Sequence, residues 1–133
     1  MDANDFLVPP GEVVKYKSNW QVGTVMQGTL LRAPSILPDT DYQTKEQRVS
    51  KEGSLFWKFK LTVEVDDQVK IIFAEGSLYW ATLKAFRAAG LRDFNDSVGG
   101  TIAFKRVEDG PSKTPGFAPR KNYMVKFVPP KSL

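Results

Sequence analysis

The sequence predicts an all-β protein with one helix, and three observations support that prediction. The first is the stretch at residues 54–65, where odd positions are apolar and most even positions are polar, the pattern of a half-buried β-strand. The second is another alternating stretch at residues 68–74, which follows the tight turn Asp66-Asp67 and predicts a β-hairpin. The third is a single alanine-rich helical segment at residues 77–90. Three strands, one helix and two strands, with long loops after the first and fourth strands, predict a five-stranded OB-fold Greek-key barrel.

The first predicted strand covers residues 20–33, where Gly23 and Gly28 permit the bending that a small barrel needs. Pro34 and Pro38 are expected to end this strand, and residues 34–53 then form a long polar loop. We interpret residues 1–19 as a partly ordered N-terminal extension with a short edge strand at residues 13–16. The OB-fold domain is therefore expected to span residues 20–133.

The two faces of the central hairpin are predicted from the alternation. The buried face is expected to carry Leu55, Trp57, Phe59, Leu61, Val63 and Val65 from the second strand, with Val69, Ile71 and Phe73 from the third. The exposed face is expected to carry Phe56, Lys58, Lys60 and Lys70. A slip of one residue at a bulge would exchange the faces and expose Trp57 and Phe59 instead.

The predicted helix has recognisable ends. Ser77 is expected to be its N-cap and Gly90 its C′ residue. Trp80, which is four residues before Lys84, is expected to be partly buried, while Lys84 and Arg87 face solvent. The apolar stripe predicted to face the core consists of Tyr79, Leu83 and Phe86.

Two further strands are predicted at residues 101–107 and 121–128. The loop between them contains three prolines, two glycines and the isolated aromatic residue Phe117. Because no apolar neighbours flank Phe117 apart from Ala118 and prolines, its ring is expected to be exposed.

Composition restricts the function. The chain has no histidine and no cysteine, which removes the commonest general base and metal ligands, so we predict no enzyme, no cofactor and no metal site. A carboxylate-dependent nuclease using Glu64, Asp66 and Asp67 is a weak alternative, because acidic residues are ordinary in a hairpin turn.

No signal sequence and no apolar run of about 18 residues is present, which predicts a cytoplasmic protein without a membrane partner. Residues 1–99 hold 12 Lys/Arg against 13 Asp/Glu, whereas residues 100–133 hold 7 against 2, so the basic excess in the last quarter favours an anionic partner.

The predicted layout resembles the OB-fold single-stranded-DNA-binding proteins, and is similar to small cysteine-free members encoded by bacteriophages and their bacterial hosts. The resemblance covers residues 20–128 and depends on the element order, the two long loops, the Gly99-Gly100 pair before the fourth strand, and the ending from Lys121-Asn122-Tyr123 to Val128-Pro129-Pro130. It implies a non-catalytic protein of DNA replication, recombination or repair, located in the host cytoplasm if a phage encodes it. Bacterial replicative members end in an acidic tail that recruits partners, whereas this chain ends Pro129-Pro130-Lys131-Ser132-Leu133.

The predicted binding site combines aromatic rings, which would stack on bases, with cations, which would contact phosphates. In an OB-fold the ligand crosses the second and third strands between the two long loops. The predicted nucleic-acid-binding residues are Phe56, Lys58, Lys60, Lys70, Tyr42, Lys45, Arg48, Lys51, Lys113, Phe117, Arg120 and Lys121. Single-stranded DNA is the expected ligand, with RNA as an alternative and replication or recombination proteins as further partners. A rival interpretation is an OB-fold module, an adaptor or inhibitor, that docks on a protein; the oligomeric state is left open, with a dimer as one option.

Overall fold

The structure, a computed structural model, describes residues 11–41, 43–49, 52–110 and 120–130. Its strands are β1 (Glu12–Val13), β2 (Val25–Leu30), β3 (Ser35–Pro38), β4 (Trp57–Val65), β5 (Gln68–Ala74), β6 (Thr101–Gly110) and β7 (Arg120–Val128). Its helices are α1 (Tyr16–Asn19), α2 (Gly76–Ala88) and a 3-10 helix (Phe94–Ser97). The prediction of a mostly β chain with one main helix is confirmed, but seven strands are present instead of the five of the predicted barrel. The short edge strand expected at residues 13–16 is present as β1 at Glu12–Val13, although Tyr16 begins α1, whereas β3 was not expected. Within the described residues, no helix has the length and apolar character needed to cross a membrane.

All seven strands belong to one mixed sheet. The order is β1-β5-β4-β2-β6-β7, and β3 pairs with β4. β1 runs parallel to β5, while every other pairing is antiparallel. Among the described residues no strand pairing joins β5 to β7, so the sheet is open.

Between the start of β2 and the end of β3, the chain changes its pairing from β6 to β4. β2 pairs with β6 along most of its length, and Thr29 lies opposite both Thr101 of β6 and Glu64 of β4. Gly28 is required at this crossing, because a Cβ there would lie 2.4 Å from the carbonyl oxygen of Glu64.

Strand β2 ends at Leu30, so the first strand stops before Pro34 as predicted, although it is shorter than the predicted residues 20–33. Pairing with β4 resumes in β3, where Ser35 lies opposite Lys60. Pro34 is tolerated because the pairing with β4 changes register between β2 and β3, and its missing N–H costs no ladder bond there. The predicted long loop is also partly structured, since isolated bridges join Thr40 to Gln47 and Val49 to Leu55.

The turn between β4 and β5 determines which face each residue occupies. Asp66 and Asp67 have φ values of 50° and 63°, which a two-residue type I′ hairpin turn requires. Such a turn pairs Val65 with Gln68, so odd residues of β4 lie opposite even residues of β5. The prediction that Val69, Ile71 and Phe73 face the core is therefore wrong. The core-facing residues of β5 include Ile72 and Ala74, which are fully buried, and the three predicted residues lie on the other face.

Helix α2 covers one side of the core. Its buried residues are Leu78, Thr82, Ala85 and Phe86, while Tyr79 and Leu83 are only partly buried against the core. Gly90 has a φ of 75° just beyond the helix, and the Leu91 N–H donates to the Phe86 carbonyl, so the predicted glycine stop is confirmed. The predicted N-cap is wrong: Glu75 occupies that position, and the Ser77 hydroxyl donates to the Lys121 carbonyl of β7 at 2.7 Å.

The gap between β5 and β7 is bridged by side chains, and we call this region the seam. Tyr16 of α1 is 4% exposed, and its ring centroid lies 5.6 Å from that of Tyr123 on β7. The Tyr16 hydroxyl accepts a hydrogen bond of 3.2 Å from the Glu75 N–H, at the end of β5. Trp20 continues the ring cluster to Phe104 on β6, with centroids 6.0 Å apart. Residues before the first predicted strand therefore take part in the core.

Candidate nucleic-acid interface

The face of β3, β4 and β5 that points away from the core carries lysines beside aromatic rings, and we call it the outer face. Phe59, Leu61 and Val63 are fully buried, so Lys58 and Lys60 of β4 lie on the outer face. Phe73 lies opposite Lys60 on the same face. The Lys58 Nζ is 5.3 Å from the centroid of the Phe73 ring, which is within cation–π range.

A second ring and cation pair lies where β4 begins. The backbone of Phe56 continues the β-ladder, because its carbonyl accepts from the Asp39 N–H at 3.0 Å and its N–H donates to the Arg48 carbonyl at 2.9 Å. The Arg48 guanidinium carbon is 5.5 Å from the centroid of the Phe56 ring. Phe56 is 36% exposed, so its ring remains partly open to a ligand.

At this end the outer face runs into a cleft of about 240 Å³, which we call the seam cleft. Segments that are distant in sequence form its walls: Tyr16 and Lys17 from α1, and Lys121 and Tyr123 from β7. The remaining walls are the start of α2 with Glu75, and the segment between β3 and β4 with Asp39, Arg48 and Phe56.

Two acidic residues meet in the seam cleft. Asp39 is 5% exposed, and it shares the cleft with Glu75, whose side chain is 24% exposed. Each has a basic partner, since Lys17 forms an ion pair with Glu75 and the Arg48 Nη1 lies 3.4 Å from the Asp39 Oδ2.

The surroundings shift the pKa values of these groups in opposite directions. Burial raises the pKa of Asp39, and the neighbouring charge of Glu75 raises it further. Burial also acts to raise the pKa of Glu75, but the hydrogen bond and charge of Lys17 outweigh it and leave that pKa below its usual value. Burial raises the pKa of Tyr16 and of Tyr123, so both phenols are neutral at physiological pH. The cleft thus combines neutral rings, a carboxyl pair and cations.

Of the predicted site residues, Phe56, Arg48 and Lys121 come together in the seam cleft, and Lys58 and Lys60 lie on the adjoining outer face. Lys45 is exposed in the turn between the paired residues Thr40 and Gln47, with a φ of 64°. The predicted residues Tyr42, Lys51, Lys113 and Phe117 lie outside the described residues, as does the side chain of Arg120.

Lys70 is not on the face that the sequence predicted. It lies opposite Val63, and directly opposed residues of an antiparallel pair share a face, so Lys70 is on the other side from Lys58. Its Nζ lies 3.0 Å from a carboxylate oxygen of Glu12 on β1. The predicted face of Lys70 was wrong because the two-residue turn places even residues of β5 opposite odd residues of β4, so the even residues of the two strands lie on different faces.

Trp57, expected to be buried, and Trp80, expected to be partly buried, are both exposed. Trp57 is 39% exposed although it shares a face with Phe59, because it lies at the end of β4, opposite Pro38. Trp80 is 62% exposed on α2, with its ring edge-on to Tyr79 at 5.2 Å. Its side chain points away from the buried stripe that begins at Leu78.

Sequence reasoning missed Tyr16, Lys17, Asp39 and Glu75 as members of the site. Asp39 and Glu75 are single acidic residues at strand ends, with no spacing that links them. The packing of Tyr16 could have been predicted from the sequence, because an aromatic residue in a short segment before the first strand often packs on the domain.

No protein-family model, curated protein or solved structure matches this chain. In the described part of the chain, no group of three or more acidic side chains is arranged to hold a metal ion.

Proposed function

We propose that this protein binds single-stranded DNA without catalysing a reaction, by base stacking and phosphate contacts with little sequence preference. The observation that supports this most is the pair of ring and cation contacts on the outer face, Lys58 with Phe73 and Arg48 with Phe56. Rings that stack on successive bases, beside cations that follow the backbone, are the usual means of binding single strands without reading their sequence.

The proposal includes an OB-fold, and the strand order supports it. The five strands predicted from the sequence are adjacent in the order β5-β4-β2-β6-β7, and α2 connects β5 to β6. A five-stranded, partly open Greek-key barrel of this kind binds its ligand on the hairpin that β4 and β5 form here. The proposal further includes a role in replication, recombination or repair, in the cytoplasm of a bacterial or phage-infected cell.

The test is fluorescence anisotropy of a labelled thirty-nucleotide poly-dT oligomer, titrated with the protein at several salt concentrations. We expect tight binding that weakens as salt rises, because each phosphate neutralised by a cation releases counterions. Phe56→Ala should weaken binding about fivefold or more, since one base stack contributes about 1–3 kcal/mol.

Two lysines of one hairpin provide a matched pair of variants. Lys58→Ala should lower the magnitude of the salt slope by about 0.7, the value for one phosphate contact on a single strand. Lys70→Ala removes the same charge from the opposite face, where Glu12 neutralises it, so its slope should equal that of the unmodified protein. Absence of binding at low salt, or equal effects of the two variants, would contradict the proposal.

A second candidate function, docking on another protein, is favoured by one observation. Exposed apolar side chains cluster near the start of β4, where Val49 bridges to Leu55 and both are about half exposed. Ile36 and Trp57 add to this surface. Absence of DNA binding, together with concentration-dependent association in light scattering that Leu55→Asp abolishes, would favour docking over DNA binding.

A further inference from the structure

A pair of carboxyl groups, one buried and one partly exposed, is an unexpected feature of a surface that attracts phosphates, because acidic groups repel them. Asp39 and Glu75 are nevertheless enclosed in the seam cleft at the end of the outer face. Lys17 and Arg48 neutralise their charge locally, so the pair does not have to repel a polyanion that passes along the outer face. The carboxyl oxygens can then contribute hydrogen-bond acceptors instead of net charge.

The pair has acceptor capacity to spare. Two carboxylates offer about eight acceptor positions. In the described part of the chain their ion-pair partners are Lys17 and Arg48, which use fewer than half of those positions. Because one carboxylate oxygen can accept more than one hydrogen bond and the Glu75 side chain is 24% exposed, a ligand with N–H donors can bind to these oxygens from within the cleft.

The size and walls of the cleft restrict that ligand. Its volume of about 240 Å³ is below the roughly 300–1,000 Å³ of sites that enclose a whole drug-sized ligand. Phe56 contributes a partly exposed ring to the wall, and Lys121 contributes a cation whose Nζ donates to the Lys17 carbonyl at 2.5 Å. A flat ring with amino donors, attached to a phosphate, matches these features.

We propose that the seam cleft binds one nucleobase of the single strand, with Phe56 stacking on it, and that the carboxyl groups of Asp39 and Glu75 select bases that carry an exocyclic amino group. Carboxylates accept hydrogen bonds from the N4 amino group of cytosine, whereas thymine has the O4 acceptor at the same place. The inference rests on the proposed function and adds to it a preference for cytosine over thymine at one subsite.

The test compares oligo-dC with oligo-dT, each ten nucleotides long so that one subsite forms a large share of the contacts. The unmodified protein should bind oligo-dC at least about fivefold more tightly, the lower end of the discrimination that a good amino-to-carboxylate pairing provides. Asp39→Asn, which preserves the shape of the side chain and introduces an amide donor, should remove or reverse this ratio. Glu75→Gln is a second variant with the same expected change.

Glu64→Gln is the matched control, because Glu64 is an exposed acidic residue of β4 outside the seam cleft. It removes one negative charge, so it should strengthen binding of both oligomers equally and leave their ratio unchanged. Equal binding of the two oligomers, or a ratio that Asp39→Asn and Glu75→Gln leave intact, would overturn the base subsite while DNA binding itself stands. Absence of binding to both oligomers would overturn the proposed function as well.

Discussion

Phe59 and Trp57 lie on the same face of β4, two residues apart, in very different surroundings. Phe59 is fully buried, stacks on Tyr79 with centroids 4.8 Å apart and meets the edge of Phe86. Trp57 is 39% exposed at the strand end. The contribution of each ring to stability therefore depends on its distance from the strand end.

Phe59→Ala should lower the free energy of unfolding by about 3–5 kcal/mol, because it removes a buried ring and leaves a cavity. Trp57→Ala should lower it by only about 1 kcal/mol, since most surface substitutions have small effects. Urea denaturation of both variants measures the difference. A larger loss for Trp57→Ala than for Phe59→Ala would contradict the burial of Phe59 and the exposure of Trp57.

Asp39 makes the stability of the protein depend on pH. Burial, reinforced by Glu75, raises its pKa in the folded state, while Arg48 and Lys58 oppose the shift. The folded state therefore holds the Asp39 proton more tightly than the unfolded state, whose pKa is about 3.9. The contribution of Asp39 to stability is fully present below about pH 4 and declines as pH rises through the raised pKa.

Asp39→Asn should remove this decline. The free energy of unfolding of the variant, relative to the unmodified protein, should rise from about pH 4 upward and level off above the raised pKa. Chemical denaturation at a series of pH values measures it. Asp41→Asn should show no such rise, because backbone N–H groups of Thr44 and Gln43 lower the pKa of Asp41. A constant difference for Asp39→Asn across this range would mean that the carboxyl group is not buried as described.

At the scale of elements, the β4–β5 hairpin positions the outer face, and its turn determines the register. Both turn residues are aspartates in the left-handed region, with φ of 50° and 63°. Aspartate tolerates this conformation better than most residues, and glycine adopts it without steric cost.

Asp67→Gly should therefore raise the free energy of unfolding by about 0.5–1 kcal/mol, as substitutions matched to local backbone geometry commonly do. Asp67→Ala should lower it, because a Cβ without a polar group costs about 1–2 kcal/mol in the left-handed region. Urea midpoints of the two variants compare these effects. Opposite signs are expected, and a loss of stability in Asp67→Gly would contradict the type I′ turn.

At the scale of the whole molecule, the ends of the open sheet are held together at the seam. Tyr16 joins the end of β5 to β7, and Ser77 joins the start of α2 to β7. Lys17 and Lys121 connect across the same gap. The seam cleft exists only because these contacts bring separate segments together.

Tyr16→Ala should lower the free energy of unfolding by about 3–5 kcal/mol, as removal of other buried rings does. Tyr16→Phe retains the ring and loses only the acceptor for the Glu75 N–H, so about 1–3 kcal/mol is expected. A fragment that begins at residue 20 should resemble Tyr16→Ala or be less stable. Denaturation of the three proteins tests this, and a fragment as stable as the full chain would exclude a role for the seam in stability.

Much of the fold could be predicted from short-range patterns. The alternation at residues 54–65 located β4, the aspartate pair located the turn, and Gly90 located the end of α2. The faces of β5 were also predictable in principle, because a two-residue turn requires odd residues to oppose even ones. The candidate site was less predictable: Phe56, Arg48 and Lys121 were named from the sequence, but their meeting with Asp39 and Glu75 was not.

The sequence by itself determined the mostly β character, the hairpin, the main helix and the absence of histidine and cysteine chemistry. These features depend on residue identity and on neighbours within a few positions. Only the tertiary structure decided that β3 continues the sheet beyond Pro34, that Trp57 and Trp80 are exposed, and that a carboxyl pair lies in the seam cleft. Those outcomes depend on pairing and packing between segments far apart in the chain. The spacing of apolar and polar residues within one segment does not predict such contacts.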